Sequence, residues 1–119
     1  MNWVENFFRM ITGDSELSSA DQTRAYEDFK NWFHKEAKGF LFTYDEDEVN
    51  DEIGEVTESL LKHVRKHGLP ERPVNFLVRT VHNSLKSLFR KKEFANRYAI
   101  RRQIEKVIED LENSGVLHS

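Results

Sequence analysis

Between Val49 and Val64 the apolar residues Val49, Ile53, Val56, Leu60, Leu61 and Val64 recur at i, i+4, i+7, i+11, i+12 and i+15. That spacing draws one stripe along a helix of roughly 20 residues. A strand turns its side chains over at every residue and cannot put this set on one side. The pattern ends at HGLPERP, residues 67 to 73, which holds Gly68 and both prolines of the chain, Pro70 and Pro73. Two helical patterns are thereby separated by a loop. The acidic first half of the 49–64 helix suits the positive end of its dipole, and Arg65, Lys66 and His67 suit the negative end.

The remaining segments follow the same period. SSADQT, residues 18 to 23, has the composition of a helix start. After it Tyr26, Phe29, Trp32, Phe33, Ala37 and Phe40 supply a bulky face that predicts a second long helix to about Tyr44, tolerating Gly39 near its end. A shorter amphipathic piece, WVENFFRMI, precedes it and is cut off by Gly13-Asp14, so residues 1–13 are expected to cap the N-terminal end. Aromatic residues at this spacing, Trp3, Phe7, Phe8, Trp32 and Phe33 among them, are core rather than a ligand pocket. After Lys92 the residues Phe94, Tyr98, Ile104, Val107, Ile108 and Leu111 continue a helical pattern until Asn113-Ser114-Gly115. Periodicity leaves open whether 93–113 is a separate helix or the continuation of the one before it. No segment alternates with period two. The expected fold is therefore all-α, a compact bundle of four to five helices in a single domain over residues 1–119.

Composition narrows the function classes. With 38% hydrophobic and 33% charged residues and no run of about 18 apolar residues, neither a membrane span nor secretion is indicated, and a cytoplasmic location is expected. The chain has no cysteine, which excludes disulfides, thiolate metal sites and cysteine nucleophiles. No phosphate-binding glycine loop, dinucleotide fingerprint or nucleophile elbow occurs, so no enzyme activity and no cofactor are expected. His63 and His67 have the i, i+4 spacing of helical zinc ligands but lack the HExxH glutamate and a third ligand. DEDEVND, residues 45 to 51, lacks the glycine and glutamate register of a calcium loop.

The net charge is only −3, but its distribution is strongly polarised. From Thr43 to Leu61 there are eight acidic residues and no Lys or Arg; from Arg79 to Lys106 there are nine basic residues against Glu93 and Glu105. At 100° per residue, Val74, Leu77, Val78, Val81, Leu85, Leu88 and Phe89 share the arc that must be buried. The opposite arc carries Arg79, His82, Asn83, Lys86 and Arg90, with Phe76 beside it and Lys91 and Lys92 adjoining. Cations mixed with hydrogen-bonding groups grip phosphates and contact base edges, and an aromatic among cations suits single strands, on which bases stack. A solvated helix face of ordinary composition is the alternative.

These residues resemble region 2 of bacterial RNA polymerase sigma factors, especially the extracytoplasmic-function type, over roughly residues 22 to 92. That region has an acidic helix entry of the form Glu-Asp-x-x-Asp-x-x-Gln-Glu-Val, a loop, and then an aromatic-Leu-x-x-Ile-Ala-Arg-Asn-x-x-x-Asp-x-Leu-Arg-Arg run. This chain has EDEVNDEIGEV at 46 to 56, the loop GLPERP, and FLVRTVHNSLKSLFRKK from 76. Phe76-Leu77 is similar to the family's Trp-Leu pair, Asn83 to its Asn, and Arg90-Lys91-Lys92 to its terminal basic run. Gly54 stands where Gln is usual, His82 where Arg is, and Ser87 where Asp is. The helix-turn-helix domain that reads the upstream promoter element in the family has no counterpart within these residues.

The resemblance implies a transcription-initiation module. Asp47, Asp51, Glu55 and Glu58 would dock on the clamp helices of the largest β-type subunit of core RNA polymerase. Phe76, Arg79, His82, Asn83, Lys86, Arg90, Lys91 and Lys92 would hold the opened −10 promoter strand, and an anti-sigma protein would be a further partner. Four or five phosphate contacts imply a salt slope of about −3 on a single strand, which is weak binding without the polymerase. Two other readings belong to different classes. One is a helical protein–protein interaction domain or sigma-mimicking regulator that does not touch DNA. The other is a homodimer that hides Phe94 to Leu111 against its copy.

Overall fold

Gly13, at φ +75°, stops the first helix after nine residues, because a side chain is strained in that left-handed conformation and glycine is not. In the computed structural model, which describes residues 1–41 and 43–115, four such segments follow one another: α1 (Val4–Thr12), α2 (Ser19–Phe40), α3 (Glu46–His67) and α4 (Pro73–Asn113). The fold is all-α, and no strand occurs among the described residues. None of these helices is long and apolar enough to cross a membrane.

Each start carries its chemistry. The Ser18 hydroxyl accepts from the Asp21 N–H at 3.1 Å, and the Asp45 carboxylate accepts from the Glu48 N–H at 3.2 Å, each satisfying an amide that has no partner within the helix. Pro73 opens α4 at the position where a missing N–H costs nothing. At the end of α1, Arg9 Nε donates to Asp14 Oδ2 at 2.8 Å. This hydrogen bond, with a second from the Glu16 N–H, holds the Asp14 carboxyl below its ordinary value.

The chain falls into two compact units, Met1–Lys86 and Ser87–Ser119. In the first, α1 lays Val4, Phe7, Phe8 and Ile11 into a core shared with Ala25, Phe29, Phe33 and Ala37 of α2 and with Val49, Ile53, Val56, Leu60 and Val64 of α3. The rings of Phe7 and Phe29 stack at 4.2 Å, and Phe33 meets Phe29 edge-on at 5.8 Å. Trp3 and Trp32, 5.7 Å apart, close the cluster at its margin. The aromatic residues read from the sequence as core are thus packed on one another, and the 49–64 stripe is buried apart from half-exposed Leu61.

Three features differ from the sequence expectation or complete it. α2 ends at Phe40, short of Tyr44, because Leu41 takes an extended conformation (φ −93°, ψ 132°) and buries its side chain. Tyr44 then bonds His34 Nδ1 through its hydroxyl, while His34 Nε2 lies 2.8 Å from Asn50 Oδ1. Asn50 Oδ1 can only accept, so His34 Nε2 donates to it; desolvation, with Glu46 and Asp45 nearby, pushes the Tyr44 phenol up. At Lys92-Glu93, where periodicity leaves a break open, the helix runs through without one. Of the arc expected to be buried, Leu77, Val81, Leu85 and Leu88 are buried, whereas Val74, in the first turn, and Phe89, at the margin of the arc, are 42% and 36% exposed.

Gly54 lies inside α3 on its exposed side, and a Cβ built there meets nothing within 4 Å. Gly54→Ala is therefore expected to stabilise the chain by about 0.5–1 kcal/mol, by removing backbone freedom from the unfolded state and nothing from the folded one. Urea unfolding followed by circular dichroism measures this; a destabilisation would show that the exposed side of α3 does not tolerate a methyl group.

Candidate nucleic-acid interface and acidic face

Leu77, Val81 and Leu85 face the core of the first unit at essentially zero exposure, which turns the arc centred on Arg79 and Lys86 outward. Arg79, Asn83 and Lys86, at i, i+4 and i+7, are exposed and make no hydrogen bond or ion pair among the described residues. They form a row of two cations and one amide along two turns, with Thr80 beside it tied to its own helix by a bond from Oγ1 to the Phe76 carbonyl at 2.8 Å.

His82 and Phe76 of the predicted set are engaged by the preceding helices. The His82 ring lies 4.9 Å from Phe40 and brings Nε2 to 3.1 Å from Glu36 Oε2 on α2. Phe76, which the sequence leaves without an evident core to enter, is half-buried with its ring 4.7 Å from that of His63 on α3. His63 in turn lies 4.8 Å from His67, so the histidine pair with the spacing of metal ligands is part of a row of three mutually tilted rings. On the other flank, the Ser84 hydroxyl donates to Glu52 of α3. Glu36 and Glu52 thus help fasten the first turns of α4 to the two preceding helices. Sequence inspection had no means to find them, since Glu36 and His82 stand 46 residues apart.

In the second unit, Arg90 and Lys91 are exposed and Lys92 is half-buried. Further on, Arg97 donates to Glu93 at 2.7 Å and Arg101 lies 3.6 Å from Glu105.

The acidic set behaves as its spacing predicts. Asp47, Asp51, Glu55 and Glu58 occupy an arc about 80° wide on the side of α3 opposite Val49, Ile53, Val56, Leu60 and Val64, and all four are exposed. Glu58 meets Lys62 at 3.3 Å, an exposed i, i+4 pair of little energetic weight. Asp47, Asp51 and Glu55 make no ion pair among the described residues.

The first unit thus carries two solvent-facing charged rows on consecutive helices, one anionic and one cationic. Neither is neutralised by the other within the fold. No protein family, no protein of described function and no solved structure matches the chain.

Proposed function

We propose that this chain is a non-enzymatic, cytoplasmic transcription-initiation module of the sigma region 2 kind, with the acidic row docking on core RNA polymerase and the basic row holding the opened −10 strand. One observation carries the reading. Arg79, Asn83 and Lys86 are exposed and without partners on the back of a helix whose front is locked in the core, while Asp47, Asp51 and Glu55 are exposed and make no ion pair on α3. A row of uncompensated charge is maintained against its own repulsion, and complementary surfaces, a basic protein face for one row and phosphates for the other, relieve it. Within the reading Arg79, Asn83 and Lys86 make the strand contacts, and Arg90, Lys91 and Lys92 add phosphate contacts further along the sequence. His82 and Phe76 orient the helix through Glu36 and His63.

Two measurements test it. Capture of core polymerase by the wild-type chain is expected to be lost with Asp51→Lys/Glu55→Lys; equal capture by both would remove the docking face. Binding to a fluorescent −10 single strand is expected to weaken with salt, and Arg79→Ala/Lys86→Ala is expected to flatten that dependence by about 1.4 in slope, the share of two phosphate contacts. Polymerase capture without strand binding at any salt would identify a regulator that works on protein alone.

A further inference from the structure

The second unit carries a surface that this reading leaves unused. From Tyr98 to Asn113, every residue within an arc of about 100° on α4 is apolar: Ile100, Ile104, Val107, Ile108 and Leu111. All five are exposed, between 39% and 56%, and four of them line a shallow groove along the helix with Gln103. Ile100 and Val107 stand seven residues apart, as do Ile104 and Leu111, so steps of four, three and four define a two-heptad seam of the kind that pairs helices.

The charges beside the seam identify what covers it. Between Phe94 and Ile104 the chain carries Arg97, Arg101 and Arg102 and no acid; between Glu105 and Asn113 it carries Glu105, Glu109, Asp110 and Glu112 against Lys106. A parallel partner of the same sequence would set arginines beside arginines and carboxylates beside carboxylates. An antiparallel one runs the arginine half of each helix alongside the acidic half of the other, with Arg101 and Glu112 on the flank of the seam, and also aligns the helix dipoles favourably. We infer that the Ile100–Leu111 face of α4 docks antiparallel on the same face of a second copy of this chain.

In that register Ile100 of each copy lies opposite Leu111 of the other and Ile104 opposite Val107, giving four apolar layers. Arg101 and Glu112 share one flank of the seam, so each Arg101 comes alongside the other copy's Glu112. The existing contacts of Arg97 with Glu93 and of Arg101 with Glu105 are exposed i, i+4 pairs and oppose the exchange weakly. With two heptads the association is reversible and concentration-dependent rather than obligate.

Sedimentation equilibrium of the full chain between about 5 and about 500 µM is expected to show a shift from the monomer mass toward twice that value. Ile104→Glu, at an exposed position that leaves the fold intact by circular dichroism, is expected to weaken association at least about tenfold. Arg101→Glu is expected to weaken it as well, since an antiparallel pair then faces acid with acid beside the seam, and mixing this variant with Glu112→Arg restores it. Because the chain has no cysteine, Ile100→Cys and Leu111→Cys copies report orientation: an equimolar mixture is expected to form the mixed disulfide faster than either forms its own. A monomer mass at all concentrations, association unchanged by the arginine reversal, or preferential linkage of Ile100→Cys copies to one another would each overturn the inference.

Discussion

Leu85→Asp is expected to unfold this chain, whereas Lys86→Ala, one residue further on, is expected to leave it folded and to weaken single-strand binding. The contrast follows from the 100° that separates them on α4. Leu85 is completely buried, so the substitution removes a core side chain at about 3 kcal/mol and buries a carboxylate with no partner at several more. That sum is comparable with the whole stability of a domain, about 5–15 kcal/mol. Lys86 is exposed and touches no charged neighbour, so its truncation changes the folded state little. Circular dichroism and strand titration on the two variants separate the roles. A folded Leu85→Asp would mean that the first turns of α4 are not integral to the core, and an unfolded Lys86→Ala would remove the basis for assigning the row to binding.

The second large effect is expected at Phe29. Its ring has no exposed surface, stacks on Phe7 at 4.2 Å and meets Trp3, Trp32 and Phe33 within 6.4 Å. Phe29→Ala removes the central member of this cluster, and its neighbours lie on two different helices that cannot both collapse into the void. A loss of about 3–5 kcal/mol is expected, lowering the melting temperature by more than about 10 °C. Phe29→Leu, which keeps most of the volume, is expected to cost under about 1.5 kcal/mol. Urea denaturation of the three proteins checks both figures. A loss below about 1 kcal/mol for the alanine variant would mean that α1 does not depend on this ring for its place on α2.

The sites differ in how far their residues reveal them. The acidic row Asp47, Asp51, Glu55 and Glu58 is legible from spacing alone, because helix period and the position of the apolar stripe decide which way each carboxylate points. The same holds for Arg79, Asn83 and Lys86. His82 and Phe76 share the polar side by angle, yet both are engaged: His82 with Glu36 and Phe40, Phe76 with His63. A helical wheel assigns direction but does not say how far neighbouring helices reach around the flank, and residues at the edges of the buried arc are the ones that neighbours capture. The 94–111 stripe is the converse case: its apolar period is plain, and its side chains are nevertheless exposed.

By itself the sequence determined what depends on residues within a few positions of one another. These are the all-α class, the helix start near Ser18, the stop at Gly13, the buried stripe of α3 and the segregation of charge between α3 and α4. Backbone hydrogen bonding and side-chain period act over one or two turns, so these features are written locally. The tertiary structure decided the end of α2 at Phe40, where Leu41 turns into the core. It decided too the anchoring of α4 through Glu36 and Glu52, 46 and 32 residues from their partners. Such contacts join side chains that meet only once the helices have packed, and no local period encodes which of them will be neighbours.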